Sequence, residues 1–192
     1  MFYQLIPTIA NRTKPLLHKT VVLKNGQSAS LSWLEEADFP EVVTAVNSVI
    51  REDRYMLMVN EITDLEAERR WFQQSRESGM RYLVARINGK VVGGASITPF
   101  NGKRAHIAEF GVYIIKTYRN LGLGTIILEE FIEIARKSGF KVLQLSTFST
   151  NRRAIHVYKK CGFKKCGKLS RDIKFADGTY ADRVIMELLL EP

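Results

Sequence analysis

Apolar and polar positions alternate along several short runs of the chain, and Asn-Gly or Asp-Gly dipeptides separate these runs. The dipeptides are Asn25-Gly26, Asn88-Gly89, Asn101-Gly102 and Asp177-Gly178. Each is the pair that two-residue β-hairpins favour, because both central residues need a positive φ. The second and third dipeptides predict an antiparallel meander in the middle of the chain, and the fourth predicts a hairpin near its end.

Helical periodicity fills the gaps between these strands. Two residue pairs each resemble a capping box in front of a helix: Asp38 with Glu41, and Thr63 with Glu66. A third helix is predicted from Leu123 to Ser138, with its apolar residues on one face and Gly139 as its stop.

The segment after this third helix alternates once more between strand and helix. "KVLQLSTF" has the pattern of a short buried strand, and "NRRAIHVYKKCG" has that of a helix ending near Gly162. A strand before and after a helix predicts a right-handed crossover within a mostly antiparallel sheet. The chain therefore reads as one α+β domain.

Composition narrows the class of protein. The 192 residues are 45% hydrophobic and 26% charged, which is typical of one globular domain. The two cysteines, Cys161 and Cys166, are too few for a disulfide framework, and histidines would have to join them in a zinc site. No apolar run approaches the roughly 18 residues of a membrane span. We expect a cytoplasmic, unprocessed protein that uses neither a metal nor a membrane.

The net charge of +9 is concentrated in one segment. Between Arg152 and Lys174 the chain has nine basic residues and one acidic residue, Asp172, which gives a charge of +8. Such a surface favours a phosphate-bearing partner, either a nucleotide-like cofactor or a nucleic acid. A solvated basic face without a partner remains open.

A glycine-rich stretch, "RNLGLGT" at 119–125, joins the predicted strand "HIAEFGVYII" to the third helix. A helix N-terminus presents unpaired N–H groups, and glycines let a diphosphate approach that backbone closely. The stretch lacks the Lys-Ser/Thr pair of a P-loop and the third glycine of the dinucleotide fingerprint. It is a candidate diphosphate cradle, although glycines at such a turn can also serve the backbone alone.

Two motifs stand in order along the second half of the chain. The first comprises Arg119, Gly122 and Gly124, and the second comprises Asn151, Ala154, Tyr158, Gly162 and Phe163. Together they resemble the GNAT superfamily of acetyl-coenzyme A (acetyl-CoA) dependent N-acetyltransferases, over roughly Val21 to the C-terminus. The end of the chain resembles the ribosomal-protein alanine and spermidine acetyltransferase branches.

The resemblance implies a GNAT fold, an α+β architecture with a mixed, mostly antiparallel twisted sheet of about seven strands and about four helices. Residues 1–18 would form an N-terminal extension, and 19–192 a single acetyltransferase domain.

It also implies a cofactor site. The family's turn motif points to these residues for the diphosphate: Arg119, Asn120, Leu121, Gly122, Leu123, Gly124 and Thr125. Backbone N–H groups of Val112, Tyr113 and Ile114 would hold the pantetheine arm and stabilise the thioester oxygen. Asn151 would hold the pantetheine chain, and Tyr158 would protonate the departing thiolate. Without the motif, Tyr158 would read as a core tyrosine.

Acetyl transfer to an amine requires removal of a proton. An alkylammonium with a pKa of about 10.4 is neutral in only about one molecule in a thousand near pH 7.4, a cost of roughly 4 kcal/mol. Glu109 is the candidate base, and a strand glutamate paired with a lysine is the alternative. Similar ribosomal-protein enzymes have a glutamate where this chain has Ser146, which cannot act as that base. An α-amine, with a pKa of about 7.7 to 8.0, needs less help.

We therefore expect an enzyme that transfers the acetyl group of acetyl-CoA to a primary amine by direct attack in a ternary complex. A protein N-terminus, a lysine and a small amine all remain open as acceptors, and a polyamine acetyltransferase is an alternative. A nucleic-acid or ribosome binding module that uses residues 152–174 is the alternative from another class. The resemblance also leaves a homodimer open.

Overall fold

One twisted sheet of eight strands forms the centre of the protein. The computed structural model describes residues 18–190. The strands are β1 (His18–Val22), β2 (Ser28–Trp33), β3 (Arg81–Ile87), β4 (Lys90–Pro99), β5 (Ile107–Ile114), β6 (Val142–Phe148), β7 (Lys164–Lys174) and β8 (Tyr180–Leu189). Their order in the sheet is β1-β2-β3-β4-β5-β6-β8-β7. All neighbours are antiparallel except β5 and β6. The mixed, mostly antiparallel sheet is confirmed, with eight strands instead of about seven.

The Asn-Gly and Asp-Gly dipeptides all lie in strand connections, but only one makes the two-residue turn. Asn88 and Gly89 have φ of +51° and +77° and join Ile87 directly to Lys90. At the other three sites only the glycine has a positive φ. Those connections run over 23–27, 100–106 and 175–179. The prediction that these dipeptides connect antiparallel strands is confirmed. The prediction of a two-residue turn is confirmed only at Asn88-Gly89.

Within residues 18–190, four α-helices pack on the sheet: α1 (Phe39–Ile50), α2 (Leu65–Glu77), α3 (Leu123–Lys137) and α4 (Arg152–Lys160). α3 ends one residue before the predicted Ser138 and α4 ends two residues before Gly162, since Gly139 and Gly162 adopt φ of +83° and +92° beyond them. Glycine accepts this left-handed conformation at little cost.

Both predicted capping boxes were wrong, although both helices exist. Asp38 precedes α1 but its carboxylate pairs with Arg86 of β3, and Glu41 instead accepts the N–H of Val91 at 3.0 Å. At α2 the cap is one residue later than predicted, because Asp64 accepts the N–H of Ala67 at 2.9 Å. At the start of α1, contacts with other strands replaced the predicted cap, and at the start of α2 the neighbouring Asp64 is the cap.

The two faces of the sheet have separate cores. Leu83 and Phe110 point towards α3, where Phe131 is completely buried. Val84 points to the other face, where α1 and α2 supply apolar residues such as Phe39 and Phe72. Strand residues alternate between the faces, as the period of two requires. Within 18–190, no helix is both long enough and apolar enough to cross a membrane.

The sheet is split between its two parallel strands. β5 pairs with β6 only over Ile107–Glu109, opposite Val142–Gln144. Beyond Glu109, β5 stays with β4 while β6 stays with β8. The split opens at the carboxyl ends of β5 and β6, where the glycine turn begins.

Candidate active site

The glycine turn presents a run of open backbone donors. Asn120 and Gly122 have φ of +66° and +88°, and α3 begins directly after Gly122. The N–H groups of 120–124 have no hydrogen-bond partner within residues 18–190. When right-handed and left-handed backbone conformations alternate, successive N–H groups point to the same side and form a concave site. Such a site favours an anion. The turn fits the diphosphate that the sequence assigned to it.

The two glycines of the motif have different structural reasons. Gly122 needs its left-handed backbone, and a methyl group there would lie 3.4 Å from Cγ of Lys24. Gly124 has ordinary helical geometry, but a methyl group there would lie 3.3 Å from Cδ1 of Ile114. Gly122 therefore shapes the turn, and Gly124 allows α3 to approach β5 closely.

Arg119 braces the turn from within the protein. Its Nε donates to the carbonyl of Ile114 at 2.7 Å, and its two terminal nitrogens bind both carboxylate oxygens of Glu52, one of them at 2.7 Å. The guanidinium also lies 4.6 Å from the ring centroid of Tyr55. Sequence reasoning assigned Arg119 to the cofactor and missed Glu52, which lies far away along the chain. The geometry indicates that Arg119 acts through the backbone of the turn.

The split strand offers two donors, where three were expected. The N–H of Ile115 donates to the carbonyl of Val92 on β4 at 3.0 Å. Because donors alternate along an antiparallel strand, the N–H of Tyr113 also faces β4. Those of Val112 and Ile114 face the side that β6 has left. Val112 and Ile114 therefore remain candidate donors to the pantetheine arm, whereas the N–H of Tyr113 belongs to the ladder with β4.

The basic segment at 152–174 is divided between two places. Arg153, in the first turn of α4, lies beside the glycine turn, where its guanidinium is 3.5 Å from Oδ1 of Asn120. Asn151 caps α4 by accepting the N–H of Ala154 at 3.2 Å, and its amide nitrogen has no described partner. The lysines of β7 lie on the far edge of the sheet, where charges protect an exposed strand edge. The α4 part of the segment is therefore the part that lies beside the glycine turn.

Tyr158 is buried beneath the split. Its ring packs 6.0 Å from that of Phe163, and burial raises the pKa of its hydroxyl to about 12. The hydroxyl makes no hydrogen bond with any residue in the described part of the chain. It is therefore protonated at neutral pH and available as a donor, as well as being part of the core.

Glu109 lines an open groove of about 160 Å³ on the opposite face from α3. Its register neighbours are Thr98 and Gln144, and it forms no ion pair within 18–190. The expected alternative, a glutamate paired with a lysine across the sheet, is therefore not what the structure has. Ser146 lies in the same groove.

Two guanidinium groups share this groove with Glu109. Arg104 stacks 3.7 Å above the ring centroid of Phe100 and donates to Oε1 of Gln144 at 2.9 Å, but has no carboxylate partner among the described residues. Arg183 lies 2.8 Å from the carboxylate of Asp172. Sequence reasoning missed both arginines, since nothing in their spacing links them to Glu109.

A bridge of side-chain contacts crosses the split. The segment after α1 reaches the β7–β8 connection, where Asp53 accepts the N–H of Ala176 at 2.8 Å and Arg54 pairs with Asp177 at 2.8 Å. Hydrogen bonds from Thr179 and Arg54 hold the pKa of the Asp177 carboxyl well below its usual range. The bridge joins the β5 side of the split to the β6 side.

Comparison with known proteins agrees with this geometry. The sequence model of the "Acetyltransferase (GNAT) family" matches residues 43–163. The chain is 31% identical over 170 residues to an L-methionine sulfoximine/L-methionine sulfone acetyltransferase of Pseudomonas aeruginosa, covering 86% of this chain and 96% of that one.

Two solved structures are similar along nearly their whole length. A GNAT-family acetyltransferase from Streptococcus pneumoniae superposes with a TM-score of 0.76 at 30% identity, covering 84% of this chain and 99% of that one. A ribosomal-protein-alanine N-acetyltransferase from Brucella melitensis superposes with a TM-score of 0.76 at 28% identity, covering 83% and 98%.

Proposed function

The chain belongs to the acetyltransferase (GNAT) family and uses acetyl-CoA, and we propose that its acceptor is the α-amine of a small amino acid. The observation that carries this proposal is the charge of the groove. Glu109 and Arg104 line the same groove, and neither has an oppositely charged partner in residues 18–190. An amino acid complements them with its ammonium and its carboxylate.

The groove argues against a polyamine. A polyamine is cationic along its length, and it would meet the guanidinium of Arg104, which has no carboxylate partner within residues 18–190, beside that of Arg183, which is paired with Asp172. Like charges in one site cost free energy, whereas opposite charges set orientation and specificity. The relative from Pseudomonas aeruginosa, named for two amino acid analogues, supports the same choice.

Four groups of the chain share the work in this proposal. Glu109 accepts the proton of the acceptor ammonium, directly or through water. The N–H groups of Val112 and Ile114 hold the pantetheine arm and stabilise negative charge on the thioester oxygen. The Tyr158 hydroxyl donates to the departing sulfur. Acetyl-CoA supplies the activated acetyl group as a thioester.

Transfer is direct from thioester to amine. No cysteine is among the described residues that line the groove, so the groove offers no thiol on which a covalent acetyl-enzyme could form. An α-amine has a pKa of about 7.7 to 8.0, so that deprotonation near neutral pH costs less than about 1 kcal/mol. One exposed carboxylate at Glu109 is sufficient for such an acceptor, even with serine at position 146.

The test is thiol release from acetyl-CoA with a panel of acceptors. The panel contains L-methionine sulfone, its carboxamide, spermidine, a lysine peptide and a peptide with a free N-terminus. The variants are Arg104→Ala and the matched control Lys103→Ala, which removes the neighbouring positive charge outside the groove.

We expect turnover of the amino acid and much weaker turnover of its carboxamide, which lacks the anion. Arg104→Ala should remove this preference by raising KM for the amino acid about tenfold, whereas Lys103→Ala should retain it. Equal use of acid and carboxamide by the wild type, or a preference for spermidine, would refute the proposal.

A further inference from the structure

A lysine outside both sequence motifs lies against the glycine turn. Lys24 belongs to the connection between β1 and β2, and its N–H donates to the carbonyl of Leu121 at 3.0 Å. Its side chain then crosses Gly122: a methyl group there would lie 3.4, 3.6 and 3.8 Å from Cγ, Cε and Cδ. The ammonium is one C–N bond, about 1.45 Å, beyond Cε. It therefore lies within about 5 Å of that methyl position, next to Gly122 of the turn.

The charge of Lys24 is not neutralised by the protein. Its side chain is exposed and makes no ion pair or hydrogen bond with any residue between 18 and 190. Two other cations nearby are paired, Lys19 of the same hairpin with Glu130 at 2.6 Å and Arg119 with Glu52, whereas Arg153 of α4 has no carboxylate partner within residues 18–190. Lys24 is left with its charge at the mouth of the turn.

The Lys24 ammonium and the open N–H groups of the turn cannot bind each other, since both carry positive charge. The N–H groups of 120–124 carry the positive end of the α3 dipole, and the ammonium adds a full charge next to them. The backbone contact to Leu121 fixes the stem of Lys24 while leaving its end free. Two independent elements, the first hairpin and the α3 N-terminus, thus converge on a place whose positive charge favours an anion.

We propose that Lys24 is a cofactor-binding residue whose ammonium pairs with the diphosphate of acetyl-CoA held at the glycine turn. This inference rests on the proposed function, because that function places the diphosphate there. It adds a residue from the first hairpin, outside the two motifs. It also gives the turn a point charge that a purely backbone cradle lacks.

The test measures binding without turnover. Titration calorimetry gives Kd for CoA, 3′-dephospho-CoA and pantetheine, the last by displacement of CoA. The variants are Lys24→Ala, Lys24→Arg and the control Lys137→Ala. Lys137 is exposed at the other end of the 15-residue α3, about 20 Å from the turn. Lys24→Ala retains the backbone N–H that binds Leu121, so the fold should be preserved.

We expect Lys24→Ala to weaken CoA and 3′-dephospho-CoA equally, about fivefold, which suits one exposed ion pair. Pantetheine, which lacks the diphosphate, should bind Lys24→Ala and wild type alike. Lys24→Arg should retain most of the affinity, and Lys137→Ala all of it.

Three results would overturn the inference. Equal CoA affinity of Lys24→Ala and wild type would remove the contact, and a loss confined to CoA would assign it to the 3′-phosphate. An equal loss for pantetheine would mean that the substitution disturbs the site as a whole. If the wild type bound none of the three ligands, the proposed function itself would have failed.

Discussion

The brace between Arg119 and Glu52 provides the sharpest test of how the glycine turn is held. The two side chains are only 10% and 20% exposed and meet through two hydrogen bonds between opposite charges. Breaking a buried pair costs 3–5 kcal/mol, and an exposed pair contributes 0.2–1 kcal/mol. At this intermediate burial we expect a coupling free energy of about 2 kcal/mol.

The perturbation is a double-mutant cycle with Arg119→Ala, Glu52→Gln and the double variant. Urea unfolding measures the coupling in stability, and calorimetry measures Kd for CoA. If Arg119 acts through the turn, Glu52→Gln should reproduce most of the affinity loss of Arg119→Ala, about tenfold, and the double variant should add little.

The matched control is a second arginine–glutamate pair in the same part of the chain. Arg51 binds Glu61 at 2.7 Å, but these side chains are 59% and 38% exposed. Removing the Arg51–Glu61 pair should change the free energy of unfolding and the Kd for CoA much less. The reasoning would be refuted if Glu52→Gln left CoA affinity intact while Arg119→Ala abolished it, because Arg119 would then contact the phosphates directly.

Three further outcomes follow from the site. Glu109→Gln should lower kcat more for a lysine side chain than for an α-amine, because the lysine amine is harder to deprotonate, and equal losses would contradict a base role. Gly122→Ala should cost about 1–2 kcal/mol in urea unfolding because its φ is +88°, whereas Gly124→Ala, with ordinary helical φ, should cost less. Burial raises the Tyr158 pKa to about 12 from 10, so the unfolded chain loses this proton first as pH rises. Stability should therefore fall between about pH 10 and 12, and Tyr158→Phe should flatten that fall.

The local parts of the fold followed from the sequence. The helix at 123–137, its stop at Gly139 and the tight turn at Asn88-Gly89 all depend on neighbours within a few residues. Periodicity and backbone preference act over that distance, so a sequence pattern reports them. The capping boxes show the limit of such local prediction, since Asp38 pairs with Arg86 on β3 and does not cap its own helix.

The candidate site followed in part. The turn motif located the backbone donors at 120–124, because glycines and a helix start are local features. It gave no sign that the side chain of Arg119 pairs with Glu52, since Glu52 reaches it only after folding. Whether Glu109 and Tyr158 perform their proposed roles stays a prediction for the experiments above.

The sequence by itself determined the element types, the glycine turn and the family resemblance, because each is written in residues close together along the chain. Only the tertiary structure decided what surrounds the turn and the groove. Lys24 and Arg104 come from separate connections, and folding brings them to the split between β5 and β6. Contacts over such separations depend on strand order and packing, and a single sequence carries no local signal for either.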